Sequence, residues 1–119
     1  MSISSLVVGT HPITAQYGGD TNFGTVTSAP VSQVVNAVAA TVGVTSSVNP
    51  SDFGQSVTFT ATVTGSGATP TGTVAVTDGA TSLGTITLVN GSGSLTTATL
   101  TGGSHTLLFT YSGDSNYTH

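Results

Sequence analysis

An antiparallel β-sandwich is the fold class predicted for this chain, on three observations. Thr, Ser and Gly make up roughly half of the 119 residues, with Val the leading aliphatic. Thr and Val are β-branched and suit a pleated, half-buried surface. From Ser56 the sequence alternates strictly, with Val57, Phe59, Ala61 and Val63 on one face and Thr58, Thr60, Thr62 and Thr64 on the other. Short apolar-alternating runs then recur every eight to twelve residues or so with turn residues between them, the spacing of a sandwich. No window shows a helical repeat.

The elements follow in chain order. Thr10–Tyr17 predicts a strand, Gly18–Gly24 a hairpin loop and Thr25–Val35 a second strand. Pro30 lies inside that second strand, which must therefore be an edge strand or carry a break. Ala40–Val48 predicts the next strand, ended by Asn49-Pro50 because the residue before a proline is pushed out of regular pairing. Ser56–Thr64 is the alternating strand, punctuated by the Gly65–Pro70 stretch. Gly72–Thr77 follows, with Val74 and Val76 inward, and Asp78-Gly79 turns tightly. A short strand near Thr81–Leu83 leads through Gly84 into Thr85–Val89. Asn90-Gly91 is a strong hairpin signal, since both residues tolerate positive φ. Ser94–Leu100 is next, Gly102-Gly103 turns the chain, and His105–Tyr111 is the last strand, with Leu107, Phe109 and Tyr111 on one face.

Two stretches repeat one another. Gly9, His11, Tyr17, Gly19, Asp20 and Asn22 match Gly103, His105, Tyr111, Gly113, Asp114 and Asn116, a constant offset of 94 residues. Phe23 and Tyr117 close the two copies, and Leu6 and Leu100 open them. An ungapped period of this length is a domain-sized tandem repeat. The expected organisation is thus residues 1–36 as the final hairpin of a preceding repeat, and 37–119 as a sandwich lacking its last strand.

Charge narrows the function classes. There is no Lys or Arg, and the only acids are Asp20, Asp52, Asp78 and Asp114. Nucleic-acid binding needs cations to displace counterions, and attraction to anionic lipid needs a basic patch, so neither is expected. No apolar run approaches the roughly 20 residues of a spanning helix, so no membrane insertion is expected. Without Cys no disulfide can form, and without Lys or Arg trypsin has no site. The Met1-Ser-Ile-Ser-Ser start lacks the basic and apolar regions of a signal peptide. A secreted parent would carry its signal upstream or have had it removed.

The motif Gly-x-His-x-x-x-x-x-Tyr-x-Gly-Asp-x-Asn-aromatic, present twice, resembles the bacterial Ig-like repeat domains of large secreted and surface proteins. Ser56–Val63 and Pro70–Val76 support the resemblance. It implies an Ig-like sandwich of about seven strands preceded by a two-stranded extension, and a role as spacer or adhesin stalk at the cell surface. By analogy Ala40–Val48 is strand A, Ser56–Thr64 B, Gly72–Thr77 C, Thr85–Val89 D, Ser94–Leu100 E and His105–Tyr111 F, with strand G absent after His119. An F strand without its G neighbour is an unpaired edge, a template for another chain. The only G-like strand, Thr25–Val35, precedes strand A. Nine strand residues span about 30 Å, whereas the Asn36–Ala39 link reaches about 14 Å, so self-closure is disfavoured. Donation to a neighbouring subunit would instead propagate head to tail into a filament, through Val26, Val31, Val34 and Val35 against Leu107, Phe109 and Tyr111. The expected partners are the chain itself or adjacent repeats of one array, and the competing expectation is an excerpt of a longer array. Whether Thr10–Tyr17 travels with the donated strand stays open.

Chemistry-bearing residues are few. His105 and Asp114, with Ser104 or Ser112, fall short of a hydrolase triad, since no nucleophile elbow is present and His11 recurs in the other copy. No catalytic residue and no cofactor are expected. Asp20 and Asp114 are weak calcium candidates, because one carboxylate per loop is thin against the six to eight oxygens calcium takes. An Asx turn is the favoured role. His11, His105 and His119 lack zinc-like spacing. Tyr17 and Tyr111 are expected to bury their rings and bond their hydroxyls to backbone. The rival function is a loop-borne carbohydrate- or ligand-binding module. Asn90-Gly-Ser92 and Asn116-Tyr-Thr118 match the glycosylation sequon by chance in a chain this rich in these residues.

Overall fold

The computed structural model describes residues 1–119 and is built of strands joined by turns. The chain divides into two compact units, Met1–Ala37 and Val38–His119.

The first unit is a long hairpin. It comprises β1 (Gly9–Ile13), β2 (Gln16–Tyr17), β3 (Val26–Thr27) and β4 (Val31–Val35). β1 pairs antiparallel with β4 from Gly9↔Val35 to Ile13↔Val31, and β2 with β3 through Gln16↔Thr27 and Tyr17↔Val26. Each expected arm is therefore interrupted. Pro30 lacks the N–H a ladder needs, and the break falls across Ser28–Pro30. Ser28 bridges the gap: its N–H donates to the Ala15 carbonyl at 2.8 Å and its Oγ accepts from the Ala15 N–H at 3.0 Å.

The second unit holds β5 (Val38–Ala39), β6 (Thr41–Ser46), β7 (Val57–Thr64), β8 (Thr73–Asp78), β9 (Thr81–Thr87), β10 (Ser92–Thr97), β11 (Leu107–Tyr111) and β12 (Tyr117–Thr118). One sheet has the order β10-β7-β6, the other β11-β8-β9, and β12 pairs with β5 in parallel. The alternation of β7 is realised in full: Val57, Phe59, Ala61 and Val63 are all buried. Val74 and Val76 of β8 oppose them from the second sheet, joined by Ile86, Leu88, Tyr111 and Tyr117 in one core. Phe59 and Phe109 meet edge to face across the sheets, centroids 5.8 Å apart at 64°. Each fully buried Val or Ile contributes about 1.5–3 kcal/mol relative to exposure. Asn90 (φ 52°) and Gly91 (φ 78°) take the paired positive-φ conformation that closes a two-residue hairpin, bringing Val89 opposite Ser92.

Three expectations are corrected. The first strand does not run unbroken over Ala40–Val48: Val38–Ala39 pairs with β12, and the chain then shifts to β7 from Thr41. The expected D strand is not a D strand. Thr81–Thr87 is one strand, hairpinned to β8 with a bulge at Val76/Thr77, so it lies in the sheet of C and F. The tight Gly79-Ala80 turn places it there, because a two-residue hairpin loop pairs a strand with its predecessor. Finally, the last strand is not wholly absent. Tyr117 is anchored in the core, and Tyr117–Thr118 runs beside Val38–Ala39, with the Val38 N–H donating to the Asn116 carbonyl at 3.1 Å.

Candidate functional site

The repeated motif folds the same way twice. In the first copy the Asp20 Oδ1 accepts from the N–H groups of Asn22 (2.8 Å) and Phe23 (2.9 Å), and the Asp20 N–H donates to the Phe23 carbonyl (2.8 Å). In the second, the Asp114 Oδ1 accepts from Asn116 (2.8 Å) and Tyr117 (3.0 Å), and the Asp114 N–H donates to the Tyr117 carbonyl (3.0 Å). Gly19 (φ 79°) and Gly113 (φ 76°) supply the left-handed residue before each Asp. The histidines match too: His11 Nε2–H donates to the Val7 carbonyl at 2.7 Å, and His105 Nε2–H to the Thr101 carbonyl at 2.8 Å. Both aspartates thus spend one oxygen on their own loop, in an Asx turn.

The copies part where the second oxygen goes. In the sandwich, Asp114 Oδ2 accepts from the Thr71 N–H at 2.8 Å and from its hydroxyl at 3.1 Å, while Tyr111 donates to the Thr71 carbonyl at 2.7 Å. Three bonds on Thr71 tie β11 and the loop after it to the loop before β8. In the first unit Tyr17 donates instead to Asp20 Oδ2, at 2.7 Å. Thr71 holds Asp114 down to a pKa of about 2, chiefly through its N–H. The Tyr17 hydroxyl is the main cause lowering Asp20.

Burial separates the copies further. Tyr111 and Tyr117 are 5% and 1% exposed, whereas their counterparts Tyr17 and Phe23 are 45% and 68% exposed. The expectation for Tyr111 is met, and that for Tyr17 is not: its ring stands in solvent and its hydroxyl bonds a side chain. Tyr117 packs over Gly65, where any β-carbon would strike its ring, and its hydroxyl donates to the Ala68 carbonyl at 2.7 Å. Thr71, Gly65 and Ala68 were not singled out in the sequence. They sit in a Gly/Thr/Pro loop with no periodic signal.

His105 does not meet Asp114. The two flank opposite ends of β11, and His105 Nδ1 lies 2.6 Å from Asp78 Oδ2 instead. The Thr101 carbonyl requires N–H at Nε2, and the Asp78 carboxylate favours N–H at Nδ1, so both partners favour the imidazolium. The His105 pKa is raised accordingly, by the Thr101 carbonyl first and Asp78 second. Ser112 serves the backbone, accepting from the Thr73 N–H at 3.1 Å and donating to the Gly113 carbonyl at 3.0 Å. No group of three or more His or Asp residues is gathered as a metal site. A cavity of about 450 Å³ lies between the Ser46–Phe53 segment and the Leu100–His105 segment, lined by buried Val57 and Phe59 and by exposed Phe53.

Of the expected assembly residues, Leu107, Phe109 and Tyr111 turn toward the sandwich interior, and Val26, Val31 and Val34 are solvent-exposed. Val35 is half-buried.

A family profile described as bacterial Ig-like domain (group 3) matches residues 44–119. The chain belongs to the bacterial Ig-like domains. Domains of this family commonly occur in surface or extracellular proteins and are typically non-catalytic. Searches of curated proteins and of solved structures found no match.

Proposed function

We propose that the chain is a structural segment of a tandem Ig-like array in a bacterial surface protein, serving as spacer or adhesin stalk outside the cell. The observation that carries this reading is the 94-residue repeat, kept at the level of individual hydrogen bonds in the Asp20 and Asp114 loops. Repetition of a whole domain motif extends a molecule by a fixed increment and adds no chemistry. Antibodies to the purified chain should label intact cells of the source organism, and protease treatment of those cells should abolish the label. Labelling only after permeabilisation contradicts the reading.

A second reading is favoured by one observation. β11 borders β8 on one side only, leaving its other edge unpaired. Donation of the Thr25–Val35 strand to that edge in a neighbouring molecule would build a head-to-tail fibre. It requires β4 to exchange β1 for β11, because strand direction and buried face together fix which edge pairs. Light scattering and electron microscopy of the purified chain decide it. Filaments lost on deletion of residues 1–35 support donation, and a monodisperse monomer contradicts it.

A further inference from the structure

We infer that the cavity between the Ser46–Phe53 and Leu100–His105 segments is a docking site for an arginine side chain of a partner protein, with Asp52 as its carboxylate and Phe53 as its stacking face. The inference goes beyond the spacer reading and does not depend on it.

Asp52 is the unspent acid of the chain. Of the four aspartates, Asp20 accepts from Tyr17, Asn22 and Phe23, and Asp114 from Thr71, Asn116 and Tyr117. Asp78 is paired with His105. Asp52 is engaged through its backbone alone: its N–H donates to Gln55 Oε1 at 2.9 Å, and its carbonyl accepts from the Gln55 N–H at 3.0 Å. That clamp holds the Asp52-Phe53 corner at the cavity wall and leaves the carboxylate free. The chain has no Lys or Arg to match it, and His105, the histidine in the wall, is committed to Asp78 and the Thr101 carbonyl. Charge complementarity therefore points to a cation on another molecule.

The rest of the wall indicates what carries that cation. Val57 and Phe59 are buried in it, and Phe53, next to Asp52, is 83% exposed. An arginine lays its methylene stem along apolar surface and keeps its charged head at the rim. Its planar guanidinium stacks on an aromatic face and bonds a carboxylate through two parallel N–H groups, which an ammonium cannot do. The volume of about 450 Å³ lies within the usual range of ligand sites, and it leaves room for partner backbone beside the side chain. Across the cavity, the backbone groups of Gly102, Gly103 and Ser104 make no hydrogen bond within the chain. They are open to pair with that backbone.

NMR titration of the whole chain tests this, using end-blocked peptides Gly-Gly-X-Gly-Gly in which X is arginine, lysine or citrulline, the uncharged counterpart of arginine. The arginine peptide should move the amide signals of Asp52, Phe53 and Gly102–Ser104. Asp52→Asn should weaken its binding about tenfold, as expected for one lost charge-assisted contact. Phe53→Ala should weaken it about threefold. The lysine peptide should bind less tightly than the arginine peptide, and the citrulline peptide should leave the spectrum unchanged. Because the Asp52 side chain bonds nothing, signals away from the cavity should stay in place in Asp52→Asn, which verifies folding. Absence of shifts with the arginine peptide, equal shifts with citrulline, or indifference to Asp52→Asn overturns the inference. Equal binding of lysine and arginine overturns the choice of arginine.

Discussion

Asp114 Oδ2 accepts two hydrogen bonds from Thr71, one from the backbone N–H at 2.8 Å and one from the hydroxyl at 3.1 Å. This pair joins the loop before β8 to the loop after β11, and it fastens the second copy of the repeated motif to the sandwich.

The pair makes stability acid-sensitive. The folded pKa of Asp114 is about 2, below the value of about 3.9 in an unfolded chain. Its contribution is therefore full above about pH 4 and is lost as pH falls toward 2. Urea midpoints measured from pH 6 to pH 2 should drop across that window by the equivalent of about 1–2 kcal/mol after solvent screening. Asp114→Asn should be less stable at pH 6 and should flatten that part of the profile.

His105 acts with the opposite sign. Its pKa is raised by the Thr101 carbonyl and by Asp78, so its contribution is present below the ordinary imidazole value and is lost as pH rises through the raised one. In an NMR titration Asp78→Asn should lower the His105 midpoint. An unchanged midpoint would show that the 2.6 Å contact does not form in solution.

The two tyrosines should respond unequally. Tyr111→Phe leaves the Thr71 carbonyl without its 2.7 Å donor and should cost about 1 kcal/mol. Tyr17→Phe removes only an exposed bond to Asp20 and should fall within about 0.5 kcal/mol of zero. Urea unfolding of both variants at pH 7 checks the contrast.

Gly65 and Gly18 give a steric test. A β-carbon at Gly65 would overlap the Tyr117 ring, whereas one at Gly18 meets nothing within 4 Å. Gly65→Ala should destabilise by about 1–3 kcal/mol, and Gly18→Ala should be near neutral. Equal effects would mean that Tyr117 does not occupy its slot.

Local pattern made some of this legible and left some hidden. β7 could be read residue by residue, because strict alternation of Val57 to Val63 specifies both the strand and its buried face. Asn90-Gly91 was equally plain, since its φ requirement is chemical. Membership of a sheet was not plain: Thr81–Thr87 alternates no differently in one sheet than in the other, and the Gly79 turn decides. The pairing of Tyr117–Thr118 with Val38–Ala39 joins residues about two thirds of the chain apart, beyond any local signal. Thr71 was invisible for a related reason, as one threonine among many whose role comes from the loop it faces. The repeat marks the Asp20 and Asp114 loops as alike, as their matching hydrogen bonds are, but it does not reveal that Tyr117 is buried and Phe23 exposed.

Backbone amide exchange decides whether the second copy of the motif is fastened to the sandwich while the first copy stands in solvent. Slow exchange of the amides of β11, with fast exchange of those of β1 and β4, is the expected result. Equal exchange in the two copies would overturn the distinction between them.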